Sequence, residues 1–176
     1  MMDNKRRGRK RDRSHEPTDE FEQKIVDLAR VTRVMAGGKR MRFRAAVVVG
    51  NKKGQVGVGV GKGADVSIAV EKADRQARKN LINVCIVNET IPHAISLKYS
   101  SARILLKPAP QGSGIIAGGP VRAVLQIVGI PNVVAKMLGS NNKINNVNAT
   151  LRALSRLRKV IDKAKPSNSD EQKEVK

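Results

Sequence analysis

The segment most suggestive of chemistry is Gly59-Val60-Gly61-Lys62-Gly63-Ala64, which matches G-x-G-x-x-A between a predicted strand and a predicted helix. In that setting glycine amides and a helix N-terminus hold a dinucleotide pyrophosphate. The same chemistry needs a parallel second strand ending in an acidic residue about 20 positions on. Asn80, Leu81 and Ile82 stand there instead, and the preceding strand reads as a hairpin partner. A Walker loop ending at Gly61 and Lys62 fails as well, because Val56 and Gly63 occupy the positions of its first glycine and its magnesium-binding hydroxyl. A G-x-x-G loop of the KH type, drawn through Gly54 to Gly57, falls in a turn and strand where two helices are required. Cys85 lies alone in the apolar run Val84 to Val87 and reads as a small core residue, and there is no Cys-x-x-Cys or His/Cys cluster for zinc. His15 and His93 stand apart from any nucleophile or second ligand, and neither Glu89 nor Asp162 sits in a motif. No catalytic residue, metal, cofactor or small-molecule substrate is expected, and the chain reads as a non-enzyme.

What the residues do offer is positive charge. Among 176 residues 35 are basic and 15 acidic, a formal charge of +20, which a free monomer carries at the cost of self-repulsion and a polyanion relieves. A membrane reading needs an apolar span of about 20 residues or an amphipathic helix rich in aromatics. The chain has no Trp, one Tyr and two Phe, and its longest unbroken apolar runs, such as Ala45 to Val49, fall far short of such a span. The basic N-terminus is followed by no apolar stretch and does not read as a secretory signal. A cytoplasmic nucleic-acid partner, and no membrane, is the expectation.

Residues 1–19 read as a disordered basic arm carrying Lys5, Arg6, Arg7, Arg9, Lys10, Arg11 and Arg13, with nuclear import as a competing use of the same run. Residues 165–176 read as a polar disordered tail. Near the start of the folded part, Phe21, Ile25 and Leu28 follow a helical spacing while Val26 and Leu28 alternate, so periodicity leaves helix and strand open. Arg42 to Val49, the turn residues Gly50 to Gly54 and the run from Val56 predict a β-hairpin. Its second strand alternates Val56, Val58 and Val60 with Gly57, Gly59 and Gly61, so bare backbone forms one face and another group is expected to approach it closely. Asp65 is the expected cap of a helix whose stripe runs through Val66, Val70, Ala73, Ala77, Leu81 and Val84.

A new extended region is expected from Ile86, and Ser101 to Lys107 predicts a strand ended by Pro108 and Pro110. After the glycine-rich segment 111–120, Pro120 suits the first turn of a helix carrying Val121, Val124, Leu125 and Val128 and ended by Gly129. A short run from Val133, a loop over Gly139 to Asn142, and a helix turning Val147, Leu151, Leu154 and Leu157 inward complete the chain. The whole reads as α+β, with two small units in tandem over residues 20–84 and 85–164.

For the glycine strand and the 111–120 loop, close chain packing and direct phosphate contact both remain open. For the basic helix faces, solvation is the bland alternative to RNA. Scarce aromatics disfavour base-stacking single-strand binders and favour backbone and shape recognition of structured RNA.

The string Gly38-Lys39-Arg40-Met41-Arg42-Phe43-Arg44-Ala45, continued by Val48-Val49-Gly50-Asn51-Lys52-Lys53-Gly54-Gln55-Val56-Gly57-Val58-Gly59, closely resembles the signature of the family of bacterial small-ribosomal-subunit protein five. Gly112 to Gly119 and Gly139 to Thr150 resemble further blocks of that family in the same order, and the likeness spans roughly residues 20–160. It implies a double-stranded-RNA-binding-like first domain, a βαββ-containing ribosomal second domain, and a strand near Val26. It further implies a structural role on the small subunit at the head–body junction, with small-subunit rRNA and small-subunit proteins four and eight as partners. Influence on translational accuracy, together with proteins four and twelve, is part of the same implication. The loop Arg33 to Arg40 matches the family's reach toward the spectinomycin site, and Gly112 to Arg122 matches the surface turned toward protein four. The rRNA-binding residues expected on this reading are Arg33, Lys39, Arg40, Arg42, Arg44, Lys52, Lys53, Lys62, Arg75, Arg78 and Lys79. Gly112, Gly114 and Arg122 are the expected protein-interface residues. The arm Lys5 to Arg13 departs from the family pattern, and extra rRNA phosphates are its expected contacts. Two rivals are a nucleotide-dependent enzyme using the 111–120 loop and a free regulator binding generic duplexes.

Overall fold

A computed structural model describes residues 20–158; the expectations for the arm and the tail, with Asp162, lie outside the described residues. Strands β1 (Glu22–Met35) and β2 (Gly38–Gly50) pair antiparallel along their whole length. The register slips between Ile25 and Asp27, so Val26 sits in a bulge. A bulge interrupts strict alternation, which is why neither period ran clean through this segment. Strand β3 (Gln55–Gly63) pairs with β2 as the predicted hairpin, and β4 (Ile82–Asn83) closes the sheet in the order β1-β2-β3-β4. Because β3 reaches only to the level of Phe43, the pairs from Val31↔Arg42 to Met35↔Gly38 continue alone as a two-stranded ribbon. At about 3.4 Å per residue it projects roughly 17 Å beyond the sheet.

Helix α1 (Val66–Lys79) begins where Asp65 Oδ1 accepts from the Val66 amide at 2.7 Å, the predicted cap. It lies on the glycine face of β3 in backbone-to-backbone contact. A Cβ on Gly57, Gly59 or Gly61 would stand 2.2, 2.0 or 2.3 Å from the carbonyl oxygens of Ala77, Ala73 and Ala69 respectively. This face is therefore closed to phosphate. The buried stripe of α1 is Ala69, Ala73 and Ala77, not the longer run expected. Ala69 belongs to it, whereas Leu81 and Val84 lie past the helix, because the chain leaves α1 at Asn80 so that Ile82 and Asn83 can pair with Val56 and Gln55. Alanine is selected here by distance, since a larger side chain would push the two backbones apart.

The second unit comprises β5 (Ile95–Tyr99), β6 (Ala102–Pro108), β7 (Ile115–Ile116), α2 (Gly119–Val128), β8 (Val133–Gly139) and α3 (Lys143–Ser155). Its sheet runs β5-β6-β8-β7, with β7 and β8 parallel across α2. Pro120 lies in the first turn of α2 and Gly129 ends it at φ 88°, both as expected. Three expectations need correction. Residues 84–94 are irregular rather than extended, because Asn88 and Glu89 take positive φ in a tight turn closed by the Val87–Thr90 bridge. Cys85 is half-buried in that irregular stretch, not core. Leu157 lies past the end of α3, although it packs against the core as expected.

The two units share one core. Val48, Val56 and Val58 on the far face of the first sheet join Leu97, Ile104, Leu106, Val124, Leu125, Val147 and Leu154 of the second unit. Helices α2 and α3 touch both sheets, so the layers stack as α1, first sheet, α2 with α3, second sheet. The turn between β2 and β3 completes the join: the Lys52 and Gly54 amides donate to the carbonyls of Ile127 and Val128, each at 3.0 Å. Those carbonyls belong to the last turn of α2, where a carbonyl finds no amide donor within its own helix.

Replacing Gly59 by Ala is expected to cost about 3 kcal/mol or more, since a backbone carbonyl cannot swing aside as a side chain does. Gly37→Ala at the ribbon tip, where nothing lies within 4 Å, carries only the cost of its φ of 82°, about 1–2 kcal/mol. Urea midpoints of the two variants measured side by side check the ordering.

Candidate nucleic-acid interface

The ribbon's two faces follow from strand alternation. Val31, Arg33 and Met35 share a face with Arg40, Arg42 and Arg44, while Lys39 and Met41 point to the other. On the first face Arg33 pairs directly across from Arg40. Like charges opposite each other in a ladder destabilise it unless an anion lies between them. Lys62, opposite Arg44 on β3, completes a cleft of about 300 Å³ lined by Val31, Thr32, Arg33, Met35, Arg40, Arg42 and Lys62. No carboxylate lines it. Among the described residues Arg33, Arg40, Arg42 and Lys62 form no ion pair, and all four are exposed. Nothing aromatic lines the cleft either, so it suits phosphates and not stacked bases.

The other expected rRNA residues do not converge on this cleft. Arg44 turns back to Asp27 at 3.4 Å, and the same carboxylate takes Lys143 of α3 at 3.1 Å, so Asp27 braces one unit against the other. Lys52 and Lys53 sit at the opposite end of β2, paired with Glu22 and Glu20. On α1, Arg75 pairs with Glu71 one turn back, and Arg78 pairs with Asp74 at 2.9 Å while its guanidinium lies over the Phe21 ring. Lys79 is exposed at the end of that helix. Both cations of the turn and two of the four on α1 thus have a carboxylate partner, whereas among the described residues Lys72 and Lys79 of α1 and the cations of the ribbon do not.

In the second unit the 111–120 loop is organised by a residue that sequence reasoning missed. Asn132, only 4% exposed, accepts at Oδ1 from the amides of both Gly112 and Gly114, each at 3.1 Å. Its own carbonyl accepts from Thr90 Oγ1 at 2.7 Å. Ser113 N donates to Pro110 O. Three consecutive loop amides are therefore spent inside the protein, and residues 112–114 cannot cradle a phosphate as a nucleotide-dependent enzyme would need. Gly112 and Gly114 hold φ of 84° and 69° with open space where a Cβ would stand, so conformation alone selects glycine at both. Arg122 is exposed at the start of α2 and donates to Ile115 O at 3.1 Å, fixing the ridge between β7 and α2. Asp27 and Asn132 carried no motif. Their only trace in the sequence is a carboxylate inside a strand and an amide directly after Pro131.

Both units have counterparts among known proteins. The model of the N-terminal domain of ribosomal protein S5 matches residues 21–85, and that of its C-terminal domain matches residues 97–167. The small ribosomal subunit protein uS5c of Spinacia oleracea is 51% identical over 148 residues, 84% of this chain and 48% of that protein. The chain thus spans about half the length of the spinach relative. The small ribosomal subunit protein uS5 of Campylobacter jejuni is 50% identical over 140 residues, 80% of this chain and 95% of that protein.

Replacing Asn132 by Ala leaves the Gly112 and Gly114 amides without their acceptor and is expected to lower stability by about 2–3 kcal/mol. Faster amide exchange at Gly112 and Gly114, with exchange in β1 to β3 unchanged, is the specific readout.

Proposed function

The chain belongs to the ribosomal protein S5 family, whose members are structural, non-enzymatic constituents of the small ribosomal subunit, and we propose that it grips small-subunit rRNA chiefly through the β1–β2 ribbon. The observation that carries this is the cleft of Arg33, Arg40, Arg42 and Lys62, four cations with no carboxylate among them, three on a ribbon that stands clear of the sheet and the fourth on β3 at its base. A slender two-stranded element with a basic face fits between RNA backbones where a whole domain does not, and its phosphate contacts fix position without reading sequence. Lys39, on the ribbon's other face, gives the tip a second contact, and family resemblance supports a position near the spectinomycin site for the tip over residues 33–40. Lys52, Lys53, Arg75, Arg78 and Lys79 are secondary contacts, because binding RNA there competes with an existing ion pair at all but the last.

On this proposal residues 20–84 form the main RNA-binding unit. Residues 85–164 turn the ridge of Gly112, Gly114 and Arg122 toward small-subunit protein four, with protein eight as a further neighbour. The shared core holds the two contact regions at a constant separation, the property required of a part that steadies the head against the body and, with proteins four and twelve, influences accuracy.

Filter binding of the full chain to small-subunit rRNA tests the ribbon. The triple variant Arg33→Gln, Arg40→Gln, Arg42→Gln is expected to bind at least tenfold more weakly near 0.15 M salt. The slope of log K against log salt shrinks by about 0.9 for each phosphate no longer neutralised. Arg75→Gln is expected to stay within about twofold of the parent, as a locally neutralised surface cation contributes little. An unaltered triple variant removes the ribbon from the interface. For the second unit, a strain carrying Gly114→Arg is expected to misread more often, since arginine is strained at a φ of 69° and adds bulk and charge to the ridge. Unchanged misreading removes the accuracy role from this loop.

A further inference from the structure

Helices α2 and α3 cover one face of the second sheet, and no described element covers the other. On that outer face the register sets Arg103 opposite Leu138, Leu105 opposite Lys136 and Lys107 opposite Val134. Lys98 of β5 lies beside Arg103, and Ile116 of β7 lies beside Val134. Cations and aliphatic side chains therefore alternate across β6 and β8, while Lys98 sets a second cation next to Arg103 and Ile116 a second aliphatic next to Val134, each of them exposed or half-buried. The face carries no carboxylate. Glu89 is the one acidic residue between positions 86 and 158, and it sits in the turn before β5. Among the described residues Lys98, Lys107 and Lys136 make no ion pair, and Arg103 donates only to Ser96 Oγ.

We infer that this outer sheet face is a second RNA surface, which takes the phosphate–ribose backbone of a folded RNA while the ribbon holds a separate stretch. The inference deepens the RNA-binding reading above and rests on it. Charge chooses the partner, since four cations without a carboxylate complement a polyanion. Spacing excludes a small one: Arg103 and Lys107 lie about 13 Å apart along β6, so the cations cannot converge on a single phosphate and instead suit a row of them. The aliphatic positions between them meet riboses. A protein partner fits less well, because interface cores are enriched in aromatics and depleted in lysine, whereas this face has three lysines and no outward aromatic.

The test uses the full chain with the variant Lys98→Gln, Arg103→Gln, Lys107→Gln. It is confined to β5 and β6 and leaves the Gly112 to Arg122 ridge intact. Binding to small-subunit rRNA, and to an unrelated structured RNA of similar size, is measured from 0.05 to 0.3 M salt beside the ribbon triple variant. The expected result is binding to both RNAs weakened at least tenfold near 0.15 M, with a salt slope smaller by about 2 to 3, in addition to the effect of the ribbon substitutions. In the unsubstituted protein, bound RNA is expected to protect Lys98 and Lys107 from amine acylation read by mass spectrometry, a measurement independent of how the variant folds. Parental affinity and slope in the sheet variant, with no protection of either lysine, overturn the inference while the ribbon reading stands. Parental RNA affinity combined with failure to enter small-subunit particles assigns the face to a protein and also overturns it. If neither variant loses affinity, the RNA-binding reading and this inference fall together.

Discussion

Strand β3 is buried on both faces, and each face makes a different kind of contact. On one, the glycines admit the backbone of α1 to within van der Waals distance. On the other, Val56 and Val58 enter the core shared with α2, α3 and the second sheet. Alternation in a strand makes this division possible, since successive residues point to opposite sides. The glycine side permits no enlargement and the valine side permits no gap, so the strand ties three of the four layers to one register. Everything outside it is placed by reference to this strand: β2 by the ladder, α1 by the alanine stripe, and α2 by the turn that links β2 to β3.

That turn converts two sequential units into a single body. The amides of Lys52 and Gly54 meet the end of α2, Asp27 accepts from Arg44 and Lys143, and Lys24 donates to Gln126 at 2.7 Å. A Cβ at Gly129 would lie 2.1 Å from the Lys52 carbonyl oxygen, so the residue that ends α2 also makes room for the neighbouring unit. With hydrophobic burial and polar contacts both crossing the junction, the units are not free to swing as loosely linked domains do.

Charge is distributed unevenly over this body. Carboxylates accompany Arg75 and Arg78 of α1 and the cations of the turn and of the junction, and among the described residues are missing from the ribbon and from the second unit beyond Glu89. A chain at +20 cannot relieve its self-repulsion internally. It places neutralised charge where helices and units pack and leaves the excess where a polyanion can reach it. The absence of aromatic side chains from the ribbon cleft fits a protein that binds RNA by backbone and shape.

The sequence by itself determined the class of partner, the α+β character, the hairpin of β2 and β3, the Asp65 cap, the Pro120 start and Gly129 end of α2, and, through the strings around Gly38 to Gly59 and Gly112 to Gly119, the family. These are local or compositional properties, carried by turn chemistry, capping and net charge. Tertiary structure alone decided that the glycine face of β3 meets α1, that α1 stops at Asn80, and that residues 84–94 are irregular around a tight turn. It also decided which cations are available. Arg33, Arg40 and Lys62 are distant or unremarkable in the chain and become neighbours only when β1, β2 and β3 align, while Arg44, Lys52, Lys53, Arg75 and Arg78 look identical to them until carboxylates arrive beside them. Asn132 and Asp27 escaped notice for the same reason, since each acts on groups brought close by the fold. Side-chain type is written in the sequence, but whether a charge is free or neutralised depends on distances of a few ångströms that only the folded chain sets.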